Sequence, residues 1–342
     1  MKQPLGVSVI IPNYNHAAYL PQRITSVLSQ TYQNFELIIL DDCSPDGSRE
    51  VIQRYARQHP QIKTIFNERN SGSPFAQWNR GVAAARGKYV WIAESDDYAD
   101  PRLLDNLVAK LEQHPTASLA YCQSWVVNVQ GDVIDNMRYW TDPLDTEHWT
   151  HDYCTPGDVE NRRFLFHKPT IPNTSAVVFR KDRYAAIGGA NEDFTMCGDW
   201  LHWIRMVEGC ELCFVAEPLN YFRRHEATTR TIRTHGRVLT KIYEEYRILA
   251  YILTRIDSKS TLAERLRYDY LRRSFDFCPA RLKFSPKFID FVRIVKNVDS
   301  KVYYRLVLFI FKRFITYLPS KLGSRSIRPT KSTYEFEEKS TH

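Results

Sequence analysis

VSVIIPNYN, residues 7–15, is the stretch that decides the fold. Its first five residues are apolar or β-branched apart from Ser8, and Pro12-Asn13-Tyr14-Asn15 then breaks the run with a polar elbow. A strand without polar alternation is covered on both faces, as in a parallel sheet. The pattern repeats outward at residues 35–40, 62–66 and 89–93. Between these runs apolar residues recur at helical spacing: Leu20, Ile24, Val27 and Leu28; then Val51, Ile52, Tyr55 and Ala56; then Phe75, Trp78, Val82 and Ala85. Asp100-Pro101 reads as the cap and first residue of a fourth helix carrying Leu103, Leu104, Leu107, Val108 and Leu111. This order predicts an open, Rossmann-like α/β sheet with helices on both faces.

From 119 to 222 the pattern loosens. Strands are expected at 119–129, 175–180 and 212–215, a loop over 139–163, and a helix from about Asp199. Residues 226–235 read as a linker, and the remainder as a helical appendage whose last twenty residues are frayed. The expected division is a catalytic domain over 1–225, its nucleotide-binding half ending near 118 and its acceptor half filling 119–225, followed by a basic helical region over 226–342. Charge supports it. Residues 1–222 hold 20 Lys/Arg against 27 Asp/Glu, whereas 223–342 hold 27 against 12. Seven cysteines at irregular spacing do not read as a disulfide framework, and Cys210 and Cys213 read as buried small hydrophobes in a reducing compartment. No run near the start suits a signal peptide, so a cytoplasmic location is expected.

Ligands of open α/β sheets bind beyond the carboxyl ends of the strands. Three polar clusters fall at such ends: Pro12 to Asn15, Asp41-Asp42-Cys43-Ser44, and Glu94-Ser95-Asp96-Asp97. The last offers hard oxygen ligands suited to Mg²⁺ or Mn²⁺, which neutralise a diphosphate leaving group. Gly198-Asp199 opens a later helix, where the aspartate is either an N-cap or a general base.

VSVIIPNYN, QTYQNFELIILDDCSPDGS (30–48), NSGSPFAQWNRGVAAARGKYVWIAESDD (70–97) and MCGDWLHWIRM (196–206) resemble, in order, the motifs of family 2 glycosyltransferases. The resemblance covers about residues 5–225. It implies a GT-A type fold and an inverting, metal-dependent, hexosyltransferase-type activity that moves one sugar from a nucleotide-diphosphate sugar to a hydroxyl acceptor. Carried onto this chain, it implies nucleotide contacts at Pro12, Tyr14, Asn15, Asp42 and Asp96, metal ligation by Asp96 and Asp97, and Asp199 as catalytic base. UDP is the expected carrier, with dTDP and GDP as alternatives. The expected setting is bacterial surface polysaccharide assembly (capsule, O-antigen or exopolysaccharide), with a glycan or lipid-linked glycan as acceptor. Glu94 departs from the more usual aspartate, and no QxxRW follows Asp199, so single transfer rather than polymerisation is expected.

Two further expectations concern surfaces. Tyr139, Trp140 and Trp149 are candidates to stack on acceptor sugars. Residues 301–318 pattern as a cationic amphipathic helix, read either as a contact to an anionic membrane surface at the inner face of the cell membrane or as a helix packed on the catalytic part. No nucleic-acid recognition module is present in the sequence. The competing function is a non-catalytic nucleotide- or glycan-binding protein with a degenerate GT-A fold.

Overall fold

The computed structural model describes residues 5–225, 235–277, 289, 292–293, 295–296 and 299–308. The nucleotide-binding half runs β1 (Val7–Asn13), α1 (Leu20–Leu28), β2 (Phe35–Asp41), α2 (Ser48–Gln58), β3 (Ile62–Phe66), α3 (Pro74–Ala84) and β4 (Tyr89–Ile92). Then come β5 (Tyr98–Ala99), α4 (Leu103–Gln113), β6 (Ala117–Val127), β7 (Val133–Asn136), α5 (Arg138–Thr141), β8 (Tyr153–Pro156) and α6 (Gly157–Glu160). The order closes with β9 (Val177–Arg180), α7 (Lys181–Ala186), α8 (Gly198–Val207), β10 (Glu211–Arg223), α9 (His235–Leu253) and α10 (Thr261–Phe277).

One mixed sheet has the order β3-β2-β1-β4-β9-β6-β10-β5, with β7 beside β6 and β8 beside β10. β1, β2, β3 and β4 are mutually parallel. β9 is antiparallel to both β4 and β6, and β10 is parallel to β6. The reversal at β9 therefore brings β6 and β10 back to the direction of β1 and β4. Their carboxyl ends meet at one edge.

Alternation along the strands builds two cores. Ile10, Ile38, Leu40, Val90 and Ile92 point to one face, under α3, α8, α9 and α10. Val7, Val9, Ile11, Leu37, Ile39 and Trp91 point to the other, under α1, α2 and α4. Each fully buried Ile, Leu or Val contributes about 1.5–3 kcal/mol relative to exposure.

Several sequence expectations change here. The α4 helix starts at Leu103 rather than Pro101, and Asp100 accepts from the Arg102 amide (2.9 Å) and guanidinium in the turn just before it. The 139–163 stretch is not all loop: it contains parts of α5 and a turn of π-helix (Asn161–Leu165), together with β8 and α6. β10 runs on well past 215, through register shifts on either side of Pro218 that let an N–H-less residue sit in a strand. Cys213 pairs with Cys154, which faces it directly across β8 and β10, in a disulfide; Cys210 is free. Cross-strand neighbours are invisible in the spacing of cysteines along the chain.

α9 and α10 share a core with the catalytic part: Ile242, Tyr246, Leu249, Leu266 and Tyr270 belong to the same cluster as Trp200, Trp203 and Phe164. Within 301–308, Val302 and Leu306 are fully buried in that cluster, and Arg305 is held by Glu264. This part of the helix packs on protein, leaving Tyr304, Val307 and Leu308 outward. Residues 309–318, the 226–234 portion of the expected linker and the terminal twenty residues lie outside the described residues. No described helix is long and apolar enough to cross a membrane.

At the edge opposite the elbows, Glu36 fastens the strands. Its carboxylate accepts from Ser8 (2.7 Å), Lys63 (2.7 Å), and both the Arg86 amide (2.7 Å) and guanidinium. Burial alone would raise its pKa, but these donors outweigh burial and hold it at about 2. A depressed carboxylate stabilises the fold above its unfolded pKa of about 4.3 and loses that contribution as pH falls through the folded value. Glu36→Gln should therefore lower the melting temperature at pH 7. The gap from the parent should narrow steadily between about pH 4 and pH 2, followed by circular dichroism.

Candidate active site

The β1 and β2 ends are locked together first. Asn13 donates to Asp41 (2.9 Å), Ser44 donates to the same carboxylate, and the Asn15 amide donates to Ser44 (3.0 Å). Asn15 and Cys43 both take left-handed backbone (φ 60° and 59°), a conformation non-glycine residues adopt rarely and at some cost. Both lie in elbows beside the site. Pro12 is buried within β1, while Tyr14 (47% exposed) and Asn15 stand open to solvent.

Asp42 is buried, and its carboxylate is fully engaged. It accepts from Asn67, from the amide (2.9 Å) and hydroxyl (2.7 Å) of Ser71, and from Gln77 (3.0 Å). It organises the segment before α3 as a wall of the cleft.

The β4 end divides its acids. Glu94 accepts from the Trp78 indole (3.0 Å), and burial, reinforced by Asp96, lifts its pKa to about 8. Asp97 is buried, accepts the Arg223 amide (2.9 Å) and lies 4.0 Å from the Arg23 guanidinium. Burial first, and then the neighbouring Asp96, push its pKa up. Asp96 faces the cleft instead. His225 sits 3.0 Å from it, and burial, which would raise its pKa, is outweighed by His225 and His16, which hold it down.

One ligand atom from each of His16, Asp96 and His225 lies within 4.8 Å of the others. The His16 ring is oriented by Ser95, 2.8 Å from its Nδ1, and crosses the His225 ring at 88°. Two imidazoles and a carboxylate, held by their neighbours, form a donor set that fits a divalent transition ion better than Mg²⁺, which favours oxygen ligands throughout. Asp97 and Glu94 stand outside this group. Neither histidine was expected from the sequence as a metal ligand. His16 follows the elbow directly, and its place three residues beyond Asn13 was the one available signal.

Asp199 lies in the first turn of α8, after an N-cap at Cys197, and accepts the amide of its own neighbour Trp200 (2.8 Å). It does not cap the helix. Gly198 meets the ring of Phe75 so closely that a Cβ would come within 2.6 Å of it. Phe75 belongs to α3, whose Gln77 holds Asp42 and whose Trp78 holds Glu94. Those contacts set the start of α8 beside the helix that carries the cleft wall.

A family model for glycosyl transferase family 2 matches residues 8–182. The chain belongs to this family. TuaG of Bacillus subtilis, named for teichuronic acid biosynthesis, is 42% identical over 91 residues, 27% of this chain and 36% of that protein. This chain thus matches only about a third of TuaG's length. An uncharacterised glycosyltransferase of Haemophilus influenzae is 28% identical over 259 residues, covering 73% of this chain and 75% of its own. Among solved structures, TarS of S. aureus in complex with UDP-GlcNAc gives a TM-score of 0.64 at 17% identity, over 87% of this chain and 82% of that one. The mannosyltransferase PcManGT of Pyrobaculum calidifontis, in complex with GDP-Man and Mn²⁺, gives 0.56 at 14% identity, over 93% and 88%. The shared fold is of GT-A type.

Other side chains of this family member take structural posts. Trp149 is buried and donates to the Tyr121 hydroxyl (3.0 Å), so it has no face to offer a sugar. Trp140 is half-buried under Lys168, and Tyr139 is covered by Arg224. Arg223 belongs to the basic cluster Tyr221-Phe222-Arg223-Arg224-His225, which in the sequence reads either as a help in holding diphosphate or as a solvated charge cluster. It is instead buried and donates to the carbonyls of Asp96 (2.8 Å), Asn128 (3.0 Å) and Val129 (2.7 Å). Arg223→Met would strand these acceptors. Urea unfolding should show a loss on the order of 3 kcal/mol, since hydrogen bonds from a charged donor contribute about 1.5–3 kcal/mol each.

Proposed function

We propose that the chain is an inverting, metal-dependent glycosyltransferase that moves one hexosyl unit from a UDP-sugar to a hydroxyl of a glycan or lipid-linked glycan. The observation that carries this reading is the meeting of Asp96, His16 and His225 at the carboxyl edge, at the ends of β4, β1 and β10. When bound there, a divalent ion such as Mn²⁺ would neutralise the diphosphate leaving group. Asp96, His16 and His225 are assigned as its protein ligands, and Asp97 is assigned to holding β10 in place. Tyr14 and Asn15 offer exposed contacts to the nucleotide, with Pro12 and Asp42 shaping the floor and wall behind them.

Asp199 is assigned as general base. It takes the proton of the acceptor hydroxyl while that oxygen attacks the anomeric carbon from the face opposite the departing nucleoside diphosphate. One displacement inverts the configuration. The name of TuaG supports a polysaccharide setting, and the TarS complexes support UDP as carrier. Single transfer follows from the absence of a QxxRW segment after Asp199.

Release of nucleoside diphosphate from a panel of nucleotide sugars, with Mn²⁺ and with EDTA, tests the reading. Asp199→Asn should leave UDP binding intact and cut turnover by about 10²–10⁴-fold; near-normal turnover would remove Asp199 from the role. A second measurement addresses the ligands by titrating Mn²⁺ directly. His225→Ala should weaken Mn²⁺ binding by at least about 10-fold, whereas Asp97→Asn should leave it within about threefold. Equal losses in both variants would return Asp97 to the ligand set.

A further inference from the structure

Glu244 lies in the middle of α9, a helix that the sequence assigns to the basic C-terminal region, yet its side chain is 1% exposed. One carboxylate oxygen accepts from the Thr195 amide (2.7 Å) and the Thr195 hydroxyl (2.9 Å). The other accepts from the amides of Met196 (2.9 Å) and Cys197 (2.7 Å). Four donors from three consecutive residues thus converge on one buried carboxylate, immediately ahead of Gly198 and Asp199.

This arrangement stands in for a local cap. The N-cap of α8, Cys197, supplies no side-chain hydrogen bond of its own. Of the amides Glu244 takes, those of Thr195 and Met196 precede the helix and that of Cys197 is at the N-cap, so the carboxylate anchors the entry to α8 and complements the positive end of its dipole. The rest of the segment is pinned at both ends. Asn79 on α3 brackets Ala190, accepting its amide and donating to its carbonyl, both at 3.0 Å. Arg247, one turn beyond Glu244, covers the Phe194 ring at 4.3 Å and donates to the Asp193 carbonyl (3.3 Å). The first turn of α8 is therefore fixed in height and rotation by a helix from outside the family-matched region, residues 8–182.

We infer that Glu244 is a positioning residue for Asp199, acting through the Thr195–Cys197 amides. α9 is then part of the active site rather than an appendage to it. The inference rests on Asp199 being the general base. A side chain on the first turn of a helix moves with that turn, and a general base misplaced by an ångström loses much of its effect while nucleotide binding elsewhere is untouched.

The experiment uses the full chain and whichever nucleotide sugar it turns over fastest. Glu244→Gln keeps the shape but sets an amide NH₂ against backbone N–H groups. It should lower kcat by about 10-fold or more with the donor KM within about twofold. In the Asp199→Asn background the same change should alter kcat by less than about twofold, because the group it positions is gone. Thr195→Val, at an exposed position, removes one of the four donors without opening the core, and should lower kcat by roughly threefold at unchanged donor KM. It serves as the test if the Glu244 variant fails to fold. Parent-like kcat in folded Glu244→Gln, or in Thr195→Val if that variant does not fold, overturns the inference, as do losses that multiply in the double variant. Those results with a crippled Asp199→Asn sink only the role of Glu244; a fully active Asp199→Asn sinks the base assignment beneath it.

Discussion

The Asp97 carboxylate accepts the Arg223 amide at 2.9 Å, and through that bond the loop after β4 is tied to the last residue of β10. Arg223 returns the tie by donating its guanidinium to the Asp96 carbonyl and to the turn after β6. The two connections fix the backbone of both segments, so that Asp96, the residue before Asp97, faces His225, two residues beyond Arg223. The same connections carry on to the rim the β5–β10 pairing, which already joins Tyr98 and Ala99 to Tyr221 and Asn220. The rim is built by bonds from side chain to backbone, and Asp96 and His225 meet across it.

β1, β2 and β4 could be read from the sequence because each is buried on both faces and therefore written as a nearly unbroken apolar run, while β3, at the sheet edge, was read from Ile62, Ile65 and Phe66 around an exposed Lys63. The elbows after β1, β2 and β4 could be read for the same reason: a polar cluster after such a run has few places to go. β10 was harder. Pro218 interrupts it, and its direction depends on β9 running antiparallel between β4 and β6, which no local pattern encodes. His225 was consequently seen as part of a basic cluster rather than as the partner of Asp96. Trp149 misled for a related reason, since an aromatic in a polar stretch looks available until Tyr121, from a strand 28 residues earlier, is known to take its N–H.

The C-terminal helices show the same gap between charge and contact. Their basic balance suggested an acidic partner outside the molecule; among the described residues a small part of the excess is met inside, where Arg247 and Arg255 pair with Asp193 and Glu208 of the catalytic part. Arg267 pairs with Glu264 and Asp299, Arg273 with Glu245, and Arg305 with Glu264. Ile242, Tyr246, Leu249 and Tyr270 continue the core that α8 begins. A helical periodicity reports that a stripe is buried but not against what.

Three acids within four residues pose a physical problem, because like charges in a poorly solvated place cannot all ionise. The environment resolves it by giving each a different neighbour. Glu94 receives an indole N–H and little else, so burial keeps it protonated near neutral pH, at about 8. Asp97 faces a backbone amide and, at the limit of ion-pair range, Arg23, and is raised as well. Asp96 alone has two imidazoles beside it and is held in the ionised form. A proton kept on Glu94 and a raised pKa at Asp97 reduce the repulsion that the middle carboxylate feels, so negative charge is held most readily on Asp96. The sequence presents Asp96 and Asp97 as near equals; their partners make one an anionic ligand candidate and the other a hinge for the strand beside it.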